Sequence, residues 1–389
     1  MSARSLGWDL HRKFSKVSLL EITEGGEIEV IERARLEHDD PNAVRAWLSA
    51  LEPGLPVAIE AAFGWPWVAD LLEEMGFKPH LGHPPAIRAL AKHEAKADRC
   101  DADRLGKFQL RGILPESYLA PPEVRQIRER TRYRMALVGL QTGVKNRIQA
   151  ILHSFSDLFG KRGRVFLKDL DLPKASGEVL SGYLKLLDQL AELISHVERW
   201  MRQNLKEDQA VRLLKTIPGV GLILAHVIRA EIGQIDRFPS RRHFSSYSGL
   251  APVSDDSADR QGRRHCSPAC NRVLRWALIE AATGVLASKR HEARRLRQWH
   301  TRLCYDGRHN KSQAKVALAH KLAEAVYIVW KKQQPCTGTP PPRPGSGGEP
   351  KNCPQNSQKA KGTKRPLRSD QPRHPMVRRR CEAVGQTDP

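Results

Sequence analysis

The segment SLGWDLHRKFSKVSLLEITEGGEIEVIERA, residues 5–34, decides the fold of the N-terminal part of the chain. Apolar and β-branched residues recur at short spacing over Leu6–Leu10, Lys16–Glu21 and Glu27–Glu32, and Glu24-Gly25-Gly26 supplies turn residues. Runs of this kind, separated by glycine, are typical of strands joined by a hairpin turn. The segment therefore predicts a meander of three strands.

The pattern then changes to an alternation of helices and strands. The next elements are predicted to be an amphipathic helix over 41–52, a buried strand over Pro56–Glu60, a helix over 65–75, a short strand near Pro79–Leu81 and a long helix after the prolines at 84 and 85. A meander followed by strand–helix alternation is typical of a mixed sheet flanked by helices. This order predicts an α/β domain of the ribonuclease H-like (RuvC-like) nuclease fold.

The rest of the ordered chain is predicted to be all-α. Two apolar stripes, which start at Val124 and at Leu180 and are separated by a basic break at Gly160–Gly163, predict an antiparallel coiled coil. Such a hairpin can act as a spacer or in dimerisation, and we favour dimerisation. The predicted domains are 1–118 (nuclease domain), 119–208 (coiled-coil helical hairpin), 209–333 (mainly helical domain) and 334–389 (disordered basic tail).

The charge of the chain points to a polyanionic partner. The 389 residues carry a formal net charge of +22, which opposes compaction but favours binding to phosphates through counterion release. No segment reads as an apolar membrane span, and the N-terminus lacks the apolar run of a signal peptide. We therefore expect an intracellular, cytoplasmic protein that binds nucleic acid, is not associated with a membrane and keeps its seven cysteines reduced.

Four carboxylates form the candidate catalytic and metal-binding set. Asp9 lies in the first predicted strand, where an unpaired charge is costly, and Glu60 ends the fourth. Asp98 and Asp101 are three residues apart on the following predicted helix, so both project from one face. If the first and fourth strands are adjacent, all four carboxylates converge. Because oxygen-only ligands suit Mg²⁺ or Mn²⁺, the set predicts metal-dependent phosphodiester chemistry. Individually, each acid could instead cap a turn, pair with an arginine or face solvent.

The segment Leu214-Lys-Thr-Ile-Pro-Gly-Val-Gly-Leu222 is the sharpest short motif in the C-terminal half. Gly219 and Gly221, just before an apolar helix, predict a tight turn between helices that presents backbone N–H groups to a phosphate. It resembles the helix-hairpin-helix motif of DNA-binding proteins, to which Lys215 would add a charge. Alternatively, the turn is purely structural.

Several motifs together give the chain a family resemblance. They are Trp8-Asp9-Leu-His-Arg-Lys13, Ile59-Glu60-Ala61, Ala97-Asp98-Arg-Cys-Asp101-Ala102, Ile217-Pro-Gly-Val-Gly221, Phe238-Pro-Ser240, Gly249-Leu-Ala-Pro252, Asn271-Arg-Val-Leu-Arg275 and Lys315-Val-Ala-Leu-Ala-His-Lys-Leu322. In their order and spacing, the first 330 or so residues resemble the DEDD transposases of insertion sequences, the family that includes the bridge-RNA-guided recombinases and the pilin-gene invertase.

The resemblance implies the domains, the reaction and a bacterial, nucleoid-associated protein. It implies a nuclease domain that carries Asp9, Glu60, Asp98 and Asp101, a coiled coil and a C-terminal transposase domain. In the family, a serine after the Gly-Leu-x-Pro segment attacks DNA and becomes covalently linked to it, and Ser257 matches this position best. Ala258-Asp259 stand where the family has small, glycine-rich residues, and Cys270 stands where many members have glycine, so Ser254 stays an alternative nucleophile.

These observations leave three functions to compare. The first is a transposase or recombinase of an insertion sequence that acts on the element ends and a target DNA, with a structured guide RNA implied by the resemblance alone. The alternatives are a structure-specific nuclease that uses water, and a decayed relative that only binds DNA. Because the first reaction must join two DNA sites, it suggests a homodimer or homotetramer.

Overall fold

The fold begins with a mixed five-stranded sheet. The computed structural model describes residues 3–91, 101–152, 158–168, 170, 172–204, 208–253, 265–266, 270–305 and 310–336. The strands are β1 (Arg4–Leu10), β2 (Phe14–Ile22), β3 (Ile28–Glu37), β4 (Pro56–Glu60) and β5 (Lys78–Gly82), in the order β3-β2-β1-β4-β5. The meander β1–β3 is antiparallel, whereas β4 and β5 run parallel to β1. The predicted succession of five strands along the chain is confirmed; β4 has the predicted bounds, and the other four strands are two to four residues longer than predicted.

Helices cover both faces of this sheet. The helices α1 (Pro41–Ser49) and α2 (Trp65–Glu74) bury Val44, Leu48, Val68 and Leu72 against the face that carries Leu6 and Trp8. On the opposite face, α3 (Pro84–Ala91) and α4 (Asp101–Leu110) contribute Ile87, Leu105 and Phe108 to a cluster around Ala58. The prolines at 84 and 85 lie inside the first turn of α3 rather than before it, since a first turn needs no N–H donor at those positions.

The middle of the chain is a pair of long helices, α5 (Pro122–Ile151) and α7 (Lys174–Asn204). Arg134 pairs with Glu198 at 2.6 Å and Arg130 lies over the Trp200 ring, so the two helices run antiparallel. Their shared core contains Leu137, Val144, Ile148, Leu180, Leu187, Leu190 and Val197. The predicted break at Gly160–Gly163 is wrong in one respect, because α6 (Lys161–Lys168) runs through Gly163 and packs by Leu167 on the same core.

The remaining described helices share a second large core. They are α8 (Gln209–Leu214), α9 (Leu222–Ile232), α10 (Arg241–Tyr247), α11 (Arg272–Ala287), α12 (Arg294–Tyr305) and α13 (Lys311–Lys332). A two-stranded ladder pairs β6 (Pro252–Val253) with β7 (His265–Cys266). No helix in the described part of the chain is both long and apolar enough to span a bilayer. The N-terminal α/β fold followed by helices agrees with the predicted class, whereas the coiled-coil packing, the predicted domain limits and the basic tail stay predictions, the tail lying outside the described residues beyond Cys336.

Candidate functional site

Asp9 and Glu60 lie side by side at the carboxyl ends of two adjacent parallel strands. Gly7 of β1 is in register with Ala58 of β4, and Asp9 and Glu60 each follow two residues later. Because side chains alternate along a strand, both carboxylates lie on the face on which Ala58 packs. Neighbouring strands are about 4.8 Å apart, which brings two acids into direct electrostatic contact.

The helix α4 brings a third acid to this edge because two glycines let it approach the sheet closely. A Cβ on Gly7 would overlap the backbone carbonyl oxygen of Ala102, and one on Gly106 would overlap the Leu20 side chain. Asp101 is the first residue of α4 and precedes Leu105 and Phe108 by four and seven residues, so it shares their sheet-facing side. Neither glycine was among the predicted site residues, although a glycine inside a strand, as in Leu6-Gly7-Trp8, indicates a close backbone approach.

Burial and the charges of neighbouring acids raise the pKa of both Asp9 and Glu60. Burial raises the pKa of Asp9, and the charge of Asp101 adds to this, while His11, whose Nε2 lies 3.1 Å from Asp9 Oδ2, works against it. Burial also raises the pKa of Glu60, together with the charges of Asp9 and Asp101. A site that resists the charged state of its own acids favours a bound cation.

The donor chemistry of this edge suits a hard divalent cation, although the described residues do not form a closed set of ligands. Asp101 is 61% exposed and accepts a hydrogen bond from Arg104 Nη1 at 2.8 Å. Among the residues that the structure describes, no three acidic, histidine or cysteine side chains converge as a metal site. Asp98, the fourth predicted carboxylate, lies outside the described residues. Its predicted placement on the same helix face as Asp101 therefore stays a prediction.

Asp103, a spare acid near the set, belongs to the fold and not to the edge. It is 5% exposed, accepts a hydrogen bond from Ser18 Oγ at 2.6 Å and takes two from the Arg33 guanidinium at 3.1 and 2.7 Å. Arg33 and Ser18 lie on β3 and β2, so this contact fixes α4 across the sheet. Asp103 therefore positions Asp101, two residues earlier.

The segment 254–264, here called the serine segment, contains Ser254 and Ser257 and lies outside the described residues, but both of its ends are held. The ladder of Pro252–Val253 with His265–Cys266 pairs the residues on either side of it. Gly249 has a φ of 66°, and a Cβ there would lie 2.6 Å from Cys270 Sγ. Only glycine fits this turn without strain, which accounts for the Gly249-Leu-Ala-Pro252 motif.

An ion pair between Glu231 and Arg132 supports Asn271, which caps α11 a few residues after the serine segment. Asn271 caps α11 by accepting a hydrogen bond from the Leu274 N–H, and its Nδ2 donates to Glu231 Oε2 at 2.8 Å. Glu231 is fully buried and receives two hydrogen bonds from Arg132 of α5, each 2.8 Å long. Asn271 Nδ2 also donates to the Tyr247 hydroxyl at 3.0 Å. These hydrogen bonds connect α5 to the N-terminal end of α11.

A cleft of about 900 Å³ lies beside the start of α11. Its walls include Arg132 of α5, Asn271 and Arg272 at the start of α11, and His83. His83 directly follows Gly82, which is in register with Glu60 on the neighbouring strand. The cleft therefore lies between the end of β5, which is next to Glu60 on the neighbouring strand, and the start of α11.

The predicted helical turn at 215–221 is present between α8 and α9. Gly219 has a φ of 84°, and its missing Cβ lets the turn pack against the Ala281 carbonyl of α11, so this glycine serves packing. Lys215 and Gly221 are exposed, and Gly221 begins α9 without a side-chain cap. Two of the three predicted DNA-binding residues are thus accessible, and DNA contact stays a prediction for all three.

Two known families match separate parts of this chain. Residues 6–156 match a transposase family, the DEDD transposases of the IS110 type. Residues 211–298 match the transposase IS116/IS110/IS902 family. The first range spans the sheet, α4 and α5, and the second spans the helical turn and α11.

Three similar proteins, each matched over most of its length, are also described as transposases. The chain is 26% identical over 290 residues to the transposase for insertion sequence element IS1328 of Yersinia enterocolitica, which covers 71% of this chain and 84% of the relative. It is 25% identical over 300 residues to a probable family 20 transposase of Pseudomonas aeruginosa, covering 75% and 88%. A transposase for an insertion sequence element of Coxiella burnetii is 24% identical over 270 residues, covering 67% and 73%.

Proposed function

Because this chain belongs to the family of DEDD-type insertion-sequence transposases, we propose that it cuts and rejoins DNA strands with its acidic edge and a serine nucleophile. The substrates are the ends of its element and a target DNA. The observation that carries the proposal is the pairing of Asp9 with Glu60 at the ends of adjacent parallel strands, with Asp101 on a helix pressed against them.

The acidic edge supplies the electrostatics of the reaction. Asp9, Glu60, Asp98 and Asp101 would hold divalent cations, Mg²⁺ or Mn²⁺, which supply Lewis-acid activation of a phosphodiester. The raised pKa values of Asp9 and Glu60 keep their anionic forms unfavourable until positive charge is bound nearby. Until a cation binds, the hydrogen bond from Arg104 holds the exposed Asp101 carboxylate.

The serine segment supplies the nucleophile. Ser257 Oγ attacks the phosphorus, and the phosphorus–oxygen bond to the leaving strand breaks, its oxygen taking up a proton to become a hydroxyl. The hydroxyl of the new partner strand then attacks the phosphorus of the serine–DNA ester, and the bond to the serine oxygen breaks, which releases Ser257 with its proton restored. A serine hydroxyl is a weak nucleophile, so its proton must pass to a base at the acidic edge. Asn271, Glu231 and Arg132 fix the start of α11, which follows the segment in the chain.

The partners follow from the same proposal. A structured RNA would guide the choice of DNA, and the exposed Lys215 and Gly221 of the turn would contact the DNA backbone, with Gly219 shaping that turn. A homodimer or homotetramer would join the two DNA sites, with α5 and α7 as the dimerisation surface.

The decisive experiment is a cleavage and strand-transfer assay. Supercoiled DNA that carries the element ends is incubated with Mg²⁺ and the purified full chain, co-expressed with the RNA encoded beside its gene. Denaturing gels then detect protein–DNA adducts. Asp9→Asn, Ser257→Ala and Ser254→Ala are compared with the exposed Glu74→Gln as a matched control.

The expected result is an adduct that is lost in Asp9→Asn and Ser257→Ala and kept in the control. Loss in Ser254→Ala instead would move the nucleophile to Ser254. Cleavage without any adduct would favour a nuclease that uses water, and tight binding without cleavage would contradict the enzymatic proposal. Omission of the RNA tests guidance separately.

A further inference from the structure

The helix α12 has two different faces. Leu296 is buried and Trp299 packs on the C-terminal core, which fixes the helix against the domain. Arg294, Arg295 and Arg302 are exposed. Residues 295, 298 and 302 are separated by three and four positions and so form one outward stripe.

A groove of about 590 Å³ separates the first turns of α12 from the helical turn at 215–221. The amide N–H of Cys336 donates to Thr216 Oγ1 at 2.8 Å, which ties the segment after α13 to this turn. The walls of the groove are therefore fixed on both sides by packed structure. They consist of Thr216, Pro218, His291, Glu292, Arg294, Arg295, Gln298 and Cys336.

The arginines in this groove are not used by the fold. Arg297 of the same helix donates to the backbone carbonyls of Ser288 and Arg290, and so holds the turn before α12. Arg294 and Arg295, in contrast, have no hydrogen-bond or ion-pair partner within the described part of the chain. Glu292 is the one acid in the described lining and offsets at most one of the two charges.

We propose that this groove binds the phosphodiester backbone of a nucleic acid, with Arg294 and Arg295 donating to phosphate oxygens. Guanidinium groups match phosphate geometry and lose little hydration when they pair with it. The inference rests on the proposed function only in that a nucleic acid is the partner. It adds a binding surface on α12 that is separate from the acidic edge and the serine segment.

The basic tail is a poor occupant for the same groove. Residues 336–389 contain 11 Lys and Arg and 4 Asp and Glu, which leaves a net charge of +7. A segment of that sign is repelled by two unpaired arginines, whereas a phosphate backbone is attracted. Charge complementarity therefore selects the polyanion.

The test is direct binding of the full chain to labelled nucleic acids in EDTA, so that strand cleavage does not enter. Fluorescence anisotropy gives the affinity for duplex DNA and for a hairpin RNA across a series of salt concentrations. The double variant Arg294→Gln/Arg295→Gln is compared with Arg45→Gln/Lys78→Gln, which removes the same charge from exposed positions of α1 and β5.

For duplex DNA, we expect the arginine variant to lower the slope of log affinity against log salt by about 1.8, and the affinity at low salt by about 10-fold or more. The control on α1 and β5 should lose much less. A loss confined to duplex DNA or to RNA identifies which backbone occupies the groove. Equal losses in the two double variants, with both nucleic acids, would overturn the assignment.

Glu292→Gln provides an independent test of the same groove. Removal of its negative charge should tighten binding a few-fold, an effect that a purely structural role would not produce. If the arginine variant does not fold, this variant decides alone, and an unchanged affinity in the folded protein would overturn the proposal. Failure here leaves the cleavage assay unaffected, so the two proposals fail separately.

Discussion

Asp9 and Glu60 at the edge of the sheet and Glu231 of α9 are all partly or fully buried, yet their surroundings differ. Glu231 is fully buried, and Arg132 and Asn271 donate three hydrogen bonds to its two oxygens. Asp103 is satisfied in the same way by Ser18 and Arg33. Asp9 and Glu60 face each other and Asp101, and burial raises the pKa of both.

This difference distinguishes acids that hold the fold from acids that await a ligand. A buried carboxylate that the fold needs is matched by donors, because an unmatched one costs several kcal/mol. A carboxylate with a raised pKa and acidic neighbours destabilises the folded state, and this is retained where function requires it. The following predictions test that distinction, beginning with the largest effect.

Glu60→Gln should abolish cleavage, with a loss of about 1000-fold or more, which corresponds to about 4 kcal/mol in the barrier. The substitution removes a carboxylate from the acidic edge but relieves its repulsion with Asp9, so the melting temperature should stay the same or rise. Cleavage rate and thermal melting are measured on the same preparation. A fall in stability that matches the loss of activity would place Glu60 among the structural acids.

Glu231→Gln, unlike Glu60→Gln, should lower the stability of the fold. It removes the negative charge and one of the two oxygens that accept from the Arg132 guanidinium and Asn271, and we expect a loss of about 2–3 kcal/mol in the free energy of unfolding, reduced from a fully buried pair because Arg132 is half exposed. Urea unfolding measures it. Glu74→Gln, which breaks the exposed pair with Arg45, is the control and should change stability little. Comparable values for the two variants would contradict the structural role of Glu231.

Gly7→Ala should cost about 1–3 kcal/mol, because its methyl group meets the Ala102 backbone and α4 must move away from the sheet. The same shift carries Asp101 away from Asp9, so activity should fall in protein that is still folded. Gly139→Ala on α5 is the matched control, since no atom lies within 4 Å of its added Cβ, and it should be neutral or slightly stabilising. Full activity in Gly7→Ala would show that the close approach of α4 is not needed.

Asp9→Asn should give the smallest effect, a pH-dependent gain in stability without metal. The pKa of Asp9 is raised in the folded state, so its charge is unfavourable at neutral pH and the variant should be more stable there. The gain should vanish as the pH falls through the raised pKa toward the unfolded value, because Asp9 is then protonated.

Unfolding free energies of wild type and Asp9→Asn in EDTA between pH 8 and pH 4 test this sign. Burial lowers the pKa of His226 to about 4, so both proteins lose stability from this residue as the pH falls below its ordinary value, and their difference isolates Asp9. A variant that is less stable than wild type at pH 8 would contradict the raised pKa.

The alternation of short apolar runs and glycine turns was sufficient to predict β1–β5 and their succession along the chain, because a strand or helix leaves its period in the sequence that forms it. The adjacency of β1 and β4 within the sheet was only assumed. The positions of Asp9 and Glu60 near the ends of β1 and β4 were also predicted correctly from the sequence. The α6 helix was not, because a Gly160-to-Gly163 break and a short basic helix share the same composition, and the contact of Leu167 with the α5–α7 core decides between them.

The sequence by itself determined the family, the two carboxylates at strand ends and the basic character of the chain, since each of these is carried by local pattern or by composition. Only the tertiary structure separated Asp103 and Glu231, which arginines from distant elements neutralise, from Asp9 and Glu60, which face other acids. It alone showed that Gly7 sets the approach of α4 and that Arg294 and Arg295 border a groove while Arg297 does not. The reason is physical: whether a charge is paired depends on side chains that are tens of residues away in sequence and meet only when the chain packs.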